Sequence, residues 1–394
     1  MSYPNLPAEV AAGLDAARPV VARNAAQGAA DRRIPEESLD ALAKAGVFRL
    51  MVPKRYGGYE GNMAALLEAG AAVAEADGAA GWFAGLSQVG AWAAGLLSSE
   101  AQDDVFGSEA DVPLCGSIAP VGAGRPVNGG FRVSGRWGYV SGSLHARWAL
   151  LGFATPPQDE RGGPGLYMAL VPMAHLDLHD TWRAAGLRGT GSNTLTCEGV
   201  FVPGYRVMSQ RAAAEGRYPT EFKDEAARHL AWYATLTLVL VGPLLGIAQA
   251  ALGHVTSAAA HKAIAATQFR LQADSVGFQI QLAEAAMRID SARLHAYRAA
   301  EEMDALAALR VLPDYTARAR IRADAAVAAR YATDAIALLI DAHGSSGFAD
   351  DSPLQRMWRD ANVGASHALL NRGVNAEIYG KALLNLENNV SPVV

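Results

Sequence analysis

The sequence predicts an α+β fold in which a small β-domain separates two helical regions. Apolar residues recur at helical spacing in residues 1–111 and again in residues 211–394. Residues 112–210 instead contain short alternating runs that end in glycine or proline, as strands do. We therefore expect an N-terminal helical domain, a central β-domain and a C-terminal helical bundle, with any ligand where these layers meet.

The composition fits a well-buried globular protein and excludes several partners. Of the 394 residues, 51% are hydrophobic and 19% are charged, and the net charge of -5 gives no reason to expect nucleic acid or a membrane surface. Cys115 and Cys197 form no CxxC pair, and residues 1–15 lack a basic segment followed by an apolar run. We therefore expect a cytoplasmic protein.

The N-terminal region contains two helix signals. Pro35 followed by two glutamates marks a first helical turn, and a long apolar stretch runs from Ala64 to Leu97. Between them, residues 52–58 form a loop.

The middle region contains three strand candidates, at residues 131–137, 166–172 and 199–203, each bounded by glycine or proline. Their short length and turn signals predict a compact β-domain.

The C-terminal region contains an uncharged stretch, residues 230–252, that is long enough to cross a membrane. Gly242, Pro243 and Gly246 interrupt it and its flanks show no basic bias, so a buried helix in the centre of a bundle is favoured. Longer helices are predicted around residues 279–298 and 317–340.

Three motifs in sequence order resemble the acyl-CoA dehydrogenase superfamily. They are the helix-to-loop junction at residues 46–58, the segment Gly-Leu-Arg-Gly-Thr-Gly-Ser-Asn at residues 186–193, and the glycine loop at residues 344–348 with Arg-Met-Trp-Arg-Asp-Ala at residues 356–361. The resemblance covers nearly the whole chain. It implies a homotetramer in which a flavin lies between the β-domain and the bundle and extends to a neighbouring subunit.

The resemblance also implies which residues hold the flavin. Residues near its ring are Tyr139, Ser141, Gly142, Thr190 and Ser192. Residues near its adenylate and diphosphate half are Phe269, Gln279, Gly344, Ser345 and Gly347. From the residues alone, the same segments are also compatible with an ordinary strand face, a turn and a helix C-cap.

One position separates the chemistries of this family. A dehydrogenase needs a carboxylate base for the substrate α-proton. Ala368 stands where many members have that glutamate, and His367 precedes it. The sequences of residues 137–142 and 186–192 resemble those of the flavin monooxygenase branch, whose members usually have a histidine near His367. We therefore predict His367 and Ser141 as catalytic residues.

Two departures from the branch affect substrate and cofactor. Gly90 replaces a histidine found in many of its hydroxylases, so Gln88 and Trp92 are predicted to line a roomier substrate pocket. Ala265 and Ala266 replace an arginine that often grips the flavin diphosphate, which leaves FAD and FMN both open.

The resemblance implies a two-component monooxygenase. Reduced flavin (FADH2 or FMNH2) would react with O2 to give a C4a-hydroperoxyflavin that hydroxylates a small aromatic or heteroaromatic substrate. No GxGxxG fingerprint is present, so a separate NAD(P)H:flavin reductase is expected. The alternatives are oxidation of an acyl-CoA thioester and N-oxygenation of an amine. No metal is expected, because His175, Asp177 and His179 lack a fourth ligand.

Overall fold

A computed structural model describes residues 3–157 and 163–394. The N-terminal region contains five helices, which are α1 (Ala8–Asp31), α2 (Glu36–Lys44), α3 (Met63–Ala74), α4 (Gly78–Ala94) and α5 (Ser99–Phe106). The apolar stretch from Ala64 to Leu97 contains two helices and a following turn rather than one helix. The break occurs because Asp77 caps α4, where its side chain accepts a hydrogen bond from the Ala80 amide at 3.2 Å.

The middle region is a seven-stranded sheet. Its strands are β1 (Leu114–Val127), β2 (Gly130–Val140), β3 (Trp148–Thr155), β4 (Gly165–Pro172), β5 (Asp177–His179), β6 (Asn193–Pro203) and β7 (Val207–Ser209). Their order is β5-β6-β2-β1-β3-β4-β7, and every neighbouring pair is antiparallel except β1 with β3. The three predicted strand segments lie within β2, β4 and β6.

The C-terminal region is helical. Its helices are α6 (Gln210–Ala214), α7 (Trp232–Leu238), α8 (Val241–Ala259), α9 (Val276–Ala308), α10 (Tyr315–His343), α11 (Pro353–Ala365) and α12 (Arg372–Leu383). The two long helices predicted in this region lie within α9 and α10. The α+β class is therefore confirmed.

The uncharged stretch lies inside the protein. The segment Trp232–Ala259 has the length and hydropathy of a membrane span, but 78% of its most apolar window is buried by other parts of the fold. Close packing against α3 explains its glycines, because a Cβ on Gly246 would lie 2.1 Å from the Ala71 carbonyl oxygen. The prediction of a buried core helix is confirmed.

One hydrophobic core joins the helices to the sheet. It contains residues of α3, α4 and α7 through α11 together with Leu150 of β3 and Met168 of β4. A second cluster of buried hydrophobic side chains lies within the β-domain, where the Trp137 indole donates a hydrogen bond to the Gly152 carbonyl at 2.7 Å. The sheet and the bundle are thus fixed to each other, with a cavity between them.

Candidate active site

The cavity lies between the sheet, α4, α7 and the segment after α11. Its volume is about 1630 Å³. Trp82 and Leu86 of α4 and Leu236 and Leu240 in and after α7 supply large apolar side chains to its wall. Because four residues make about one helical turn, each pair presents its side chains on one face of its helix.

A chain of hydrogen-bonded hydroxyls forms one wall of the cavity. The Ser141 and Ser192 hydroxyl oxygens are 2.7 Å apart, as are those of Ser192 and Thr190. The Thr190 hydroxyl in turn donates to the Leu187 carbonyl at 2.7 Å. Ser141 and Ser192 line the cavity, whereas Thr190 is fully buried behind them.

The backbone around Ser141 is fixed to the loop that carries Thr190. The Gly142 amide donates to the Thr190 carbonyl at 2.8 Å, and the Ser143 hydroxyl donates to the Gly191 carbonyl at 3.0 Å. Gly142 has φ +79°, and a Cβ there would lie 2.1 Å from the Phe83 ring. Only glycine satisfies both conditions.

An aromatic pair stands beside the hydroxyl chain. The Tyr139 side chain is 81% exposed, and its ring meets the Trp182 ring edge-on with centroids 6.0 Å apart. The Trp182 indole donates to the Leu187 carbonyl at 2.9 Å, which holds it in place. Trp182 was not predicted, because it lies in an irregular segment between β5 and β6 that carries no local pattern.

His367 follows α11 and also lines the cavity. Its Nδ1 accepts a hydrogen bond from the Leu369 amide at 3.2 Å, and its ring lies 6.1 Å from the Trp82 ring. Water reaches the side chain through the cavity, but protein surrounds it, and this desolvation lowers the pKa of His367 to about 4. The ring is therefore neutral near pH 7 and carries its proton on Nε2.

The cavity wall contains no carboxylate among the described residues, and Ala368 is part of that wall. The protein therefore offers no acid side chain there to remove a substrate α-proton. This arrangement disfavours the thioester dehydrogenase alternative.

Two buried carboxyls join α4, α11 and the loop at Leu187. Asp77 caps α4, and Asp360 accepts a hydrogen bond from the Leu187 amide at 2.6 Å. Desolvation, and then the nearby Asp77 charge, raise the pKa of Asp360 to about 7, although Arg356 acts in the opposite direction. Desolvation likewise raises the pKa of Asp77 to about 6.

A polar contact also lies in the wall formed by β1, β4 and α7. Gln210 donates to the Ile118 carbonyl at 2.9 Å, and the Tyr233 hydroxyl donates to the Gln210 side-chain oxygen at 3.3 Å. Gln210, Ile118 and Tyr233 line the cavity. This part of the wall can hydrogen-bond a substrate.

The two residues predicted to line the substrate pocket, Gln88 and Trp92, are both buried within the fold. Trp92 is fully buried, stacks on Trp232 with centroids 5.5 Å apart and donates to the Ala227 carbonyl. Gln88 is fully buried and lies two residues beyond Leu86, about 200° further around α4. Neither residue belongs to the described cavity wall.

The residues predicted for the adenylate and diphosphate half lie apart from the cavity wall. These are Phe269, Gln279, Gly344, Ser345 and Gly347. They belong to two adjoining segments, because Lys262 donates to the His343 carbonyl at 2.6 Å and to the Ser346 hydroxyl at 2.5 Å. Within one chain, the two predicted halves of the flavin site are therefore separate.

The described residues contain no group of three or more histidine, cysteine or acidic side chains placed to hold a metal ion. His179 instead contacts the Thr196 hydroxyl at 2.8 Å.

The cavity residues fit a flavin ring. Aromatic side chains stand beside a polar edge, and Ser141 ends a buried hydroxyl chain with lone pairs left for a ligand. The fold is α+β, and the site combines these features with a neutral histidine and no carboxylate in its described wall. These are the features of a flavin-dependent oxidoreductase.

The chain is similar to known proteins along most of its length. Residues 11–106 match the N-terminal domain of acyl-CoA dehydrogenases, and residues 238–372 match their C-terminal domain. The flavin-dependent monooxygenase oxygenase subunit HsaA of Rhodococcus jostii is 35% identical, with 90% of this chain and 93% of that protein aligned.

Two further relatives have the same extent of similarity. The oxygenase component of an FADH2-dependent resorcinol hydroxylase from Rhizobium sp. is 32% identical, with 90% of this chain and 89% of that protein aligned. The structure of XiaF from Streptomyces sp. in complex with FADH2 and glycerol matches with a TM-score of 0.90 at 32% identity, covering 98% of this chain and 97% of that chain.

The chain therefore belongs to the acyl-CoA dehydrogenase family, in its branch of flavin-dependent monooxygenase oxygenase subunits. The predicted family fold is confirmed. The prediction of a two-component monooxygenase that uses reduced flavin and O2 is confirmed as well.

Proposed function

We propose that this oxygenase hydroxylates an aromatic substrate held in the cavity between the sheet and α7. The observation that carries this proposal is a large cavity that joins the Ser141 hydroxyl chain to the neutral His367 without any carboxylate in its described wall. The resorcinol hydroxylase relative supports an aromatic substrate. The volume of about 1630 Å³ leaves room for a substrate beside a flavin ring.

Two polar residues of the site, Ser141 and His367, have proposed tasks. When bound, reduced flavin supplies the electrons for O2 activation. Ser141 faces the N5 edge of the flavin ring and binds it. His367, neutral and protonated on Nε2, donates a hydrogen bond to the reacting oxygen in the cavity.

Once flavin and substrate fill the cavity, its apolar wall leaves little room for water. The reaction space is surrounded by apolar side chains that offer no competing nucleophile, those of Trp82, Leu86, Leu236 and Leu240. A water-poor site strengthens the hydrogen bonds of Ser141 and His367 and slows the loss of activated oxygen as hydrogen peroxide.

The active protein is proposed to be a homotetramer. The residues predicted for the flavin diphosphate lie away from the cavity of their own chain, so a neighbouring chain would bring them to it. On the same side of the fold, α9 exposes an apolar stripe, Val276, Ile280, Ala283, Met287 and Leu294, which follows one helix face for about 27 Å. Such a stripe supports burial against a second copy.

A separate NAD(P)H:flavin reductase is the proposed source of the reduced flavin. The oxygenase-component relatives support this division of labour. Dependence on a nicotinamide-driven partner and the two buried free cysteines both support a cytoplasmic location.

Reconstitution tests the proposed function. The purified chain would be combined with a flavin reductase, NADH, flavin and one of three aromatic probes, namely resorcinol, p-hydroxyphenylacetate and indole-3-acetate. We expect a product one oxygen atom heavier that forms only when both proteins are present. If the oxygen is found on an amine nitrogen of an added amino compound instead, the N-oxygenation alternative replaces aromatic hydroxylation.

A further inference from the structure

The hydroxyl chain has a direction that its atoms determine. Four oxygens follow one another, those of Leu187, Thr190, Ser192 and Ser141, and each successive pair is 2.7 Å apart. An O–O contact of this length is stable only with a hydrogen between the oxygens. The three contacts therefore require three hydrogens.

The hydrogens come from three hydroxyls only. The Leu187 carbonyl contributes none, so Thr190 donates to Leu187, Ser192 donates to Thr190, and Ser141 donates to Ser192. No hydrogen is left on Ser141 for the cavity. Its hydroxyl faces the ligand with lone pairs alone and acts there purely as an acceptor.

The neighbouring backbone donors are also occupied. The Ser141 amide donates to the Tyr139 carbonyl at 3.1 Å, and the Gly142 amide donates to the Thr190 carbonyl at 2.8 Å. Consequently, neither of these two amides offers a replacement donor at this edge of the cavity.

We infer that Thr190 and Ser192 are positioning residues that make Ser141 a hydrogen-bond acceptor and thereby select reduced over oxidised flavin. The inference rests on the proposed function, in which Ser141 faces the flavin N5 edge. Reduced flavin carries a hydrogen on N5 and is a donor there. Oxidised flavin has a lone pair on N5, which an acceptor repels.

This polarity suits an oxygenase whose flavin is reduced elsewhere. The protein must collect the reduced form in the presence of the oxidised form and must release the latter after turnover. Ser141 accepts a hydrogen bond from reduced flavin, whereas it faces oxidised flavin as an unmatched buried acceptor. Together these two effects correspond to roughly a tenfold difference in affinity or more.

Anaerobic titration of the full-length protein with FMN and with FAD, each oxidised and dithionite-reduced, tests the inference. Thr190→Val removes one hydroxyl, so Ser192 and Ser141 then share two hydrogens across one contact and Ser141 can donate into the cavity. The Leu187 carbonyl keeps its bonds from the Trp182 indole and the Thr190 amide, so the loop remains held. We expect oxidised flavin to bind about tenfold tighter, while reduced flavin changes little.

Three further variants separate this effect from structural damage. Thr190→Ser keeps the hydroxyl and should preserve the wild-type preference for reduced flavin. Ser192→Ala, which also frees the Ser141 hydrogen, should strengthen oxidised-flavin binding as Thr190→Val does. Thr237→Val is the matched control, because Thr237 is equally buried and its hydroxyl also donates to a carbonyl, that of Tyr233. It should change neither affinity.

Equal weakening of both flavin forms by Thr190→Val and Ser192→Ala, or an unchanged ratio in both variants, would overturn the inference. Wild-type protein that binds neither form would instead contradict the flavin site itself. The failure of the inference and the failure of the proposed function are therefore distinguishable.

Discussion

At the scale of single residues, the site depends on the ionisation of His367. Histidine ordinarily titrates near pH 6.5, but loss of bulk water lowers the pKa of His367 to about 4. Its Nδ1 is engaged by the Leu369 amide, so only the Nε2 proton is available to a ligand. This supports a role as a hydrogen-bond donor to the reacting oxygen.

Replacing His367 tests that role. His367→Ala should retain the fold and reduced-flavin binding but lose about 10²–10³-fold of product formation, the usual contribution of a positioned hydrogen-bond donor. More hydrogen peroxide should be released per NADH consumed. The measurement is product and peroxide from the same reconstituted reaction, with His179→Ala, an exposed histidine of β5, as the control. Unchanged coupling in His367→Ala would remove His367 from the proposed mechanism.

The sequence indicated some residues of the cavity wall and not others. Motif resemblance identified Ser141 and His367, and the structure brings both to one cavity. Trp182 carries no motif and comes to Tyr139 only through tertiary folding. Trp92 lies away from the cavity wall, because resemblance gives a helix position but not which face of α4 meets the cavity.

At the scale of elements, the buried carboxyls link three pieces of chain that form the site. The carboxyl of Asp360 in α11 accepts a hydrogen bond from the Leu187 amide, and the Leu187 carbonyl in turn accepts a hydrogen bond from the Thr190 hydroxyl. A carboxyl oxygen of Asp360 would lie 3.2 Å from a Cβ placed at Gly78, the first residue of α4. The helix that precedes His367 and the hydroxyl chain are thereby kept in fixed relation.

This link predicts a stability that depends on pH. The pKa values of Asp77 and Asp360 are raised to about 6 and about 7 in the folded chain, so the folded state holds protons that the unfolded chain has released. The resulting stability is complete below the unfolded pKa of about 3.9 and is lost as the pH rises through the folded values. The free energy of unfolding should therefore fall between about pH 4 and pH 7.

Asp360→Asn tests that dependence. The asparagine oxygen can still accept from the Leu187 amide but carries no charge at any pH. We expect the thermal midpoint of the variant to exceed that of wild type by several degrees at high pH and to vary less with pH. The exposed Asp351→Asn serves as the control. A variant whose midpoint declines with pH as steeply as that of wild type would show that Asp360 does not govern the effect.

The elements themselves were largely predictable. Periodicity identified the helical regions and three strands, because those segments satisfy local rules. It missed β1 and β3, whose apolar runs lack clear alternation, and the three-residue strands β5 and β7. It also merged α3 and α4 across the Asp77 cap. Both errors arise where tertiary contacts rather than local pattern decide the boundary.

At the scale of the whole molecule, assembly and cofactor binding are proposed to be one event. The stripe on α9 adjoins the segments that hold the predicted diphosphate residues, since Gln281 of α9 donates to Asp341 at 3.3 Å. A neighbouring chain docked on the stripe would thus complete the flavin site.

Charges placed on the stripe test this coupling. Met287→Glu combined with Leu294→Glu should dissociate the tetramer and weaken reduced-flavin binding together, because a buried unpaired charge is costly. The measurements are light scattering and anaerobic flavin titration on the same samples. Val127→Glu, at the exposed end of β1, is the control and should change neither. Dissociated protein that binds reduced flavin with wild-type affinity would refute the shared site.

We propose that the chain inserts an oxygen atom from O2 into an aromatic substrate with flavin reduced by another protein. The most direct measurement is the mass of the product formed under isotopically labelled O2, with the reductase present or omitted. We expect one labelled oxygen in the product, none without the reductase, and no NADH oxidation by the chain alone. Product oxygen derived from water, or anaerobic bleaching of oxidised flavin by an acyl-CoA thioester, would contradict it.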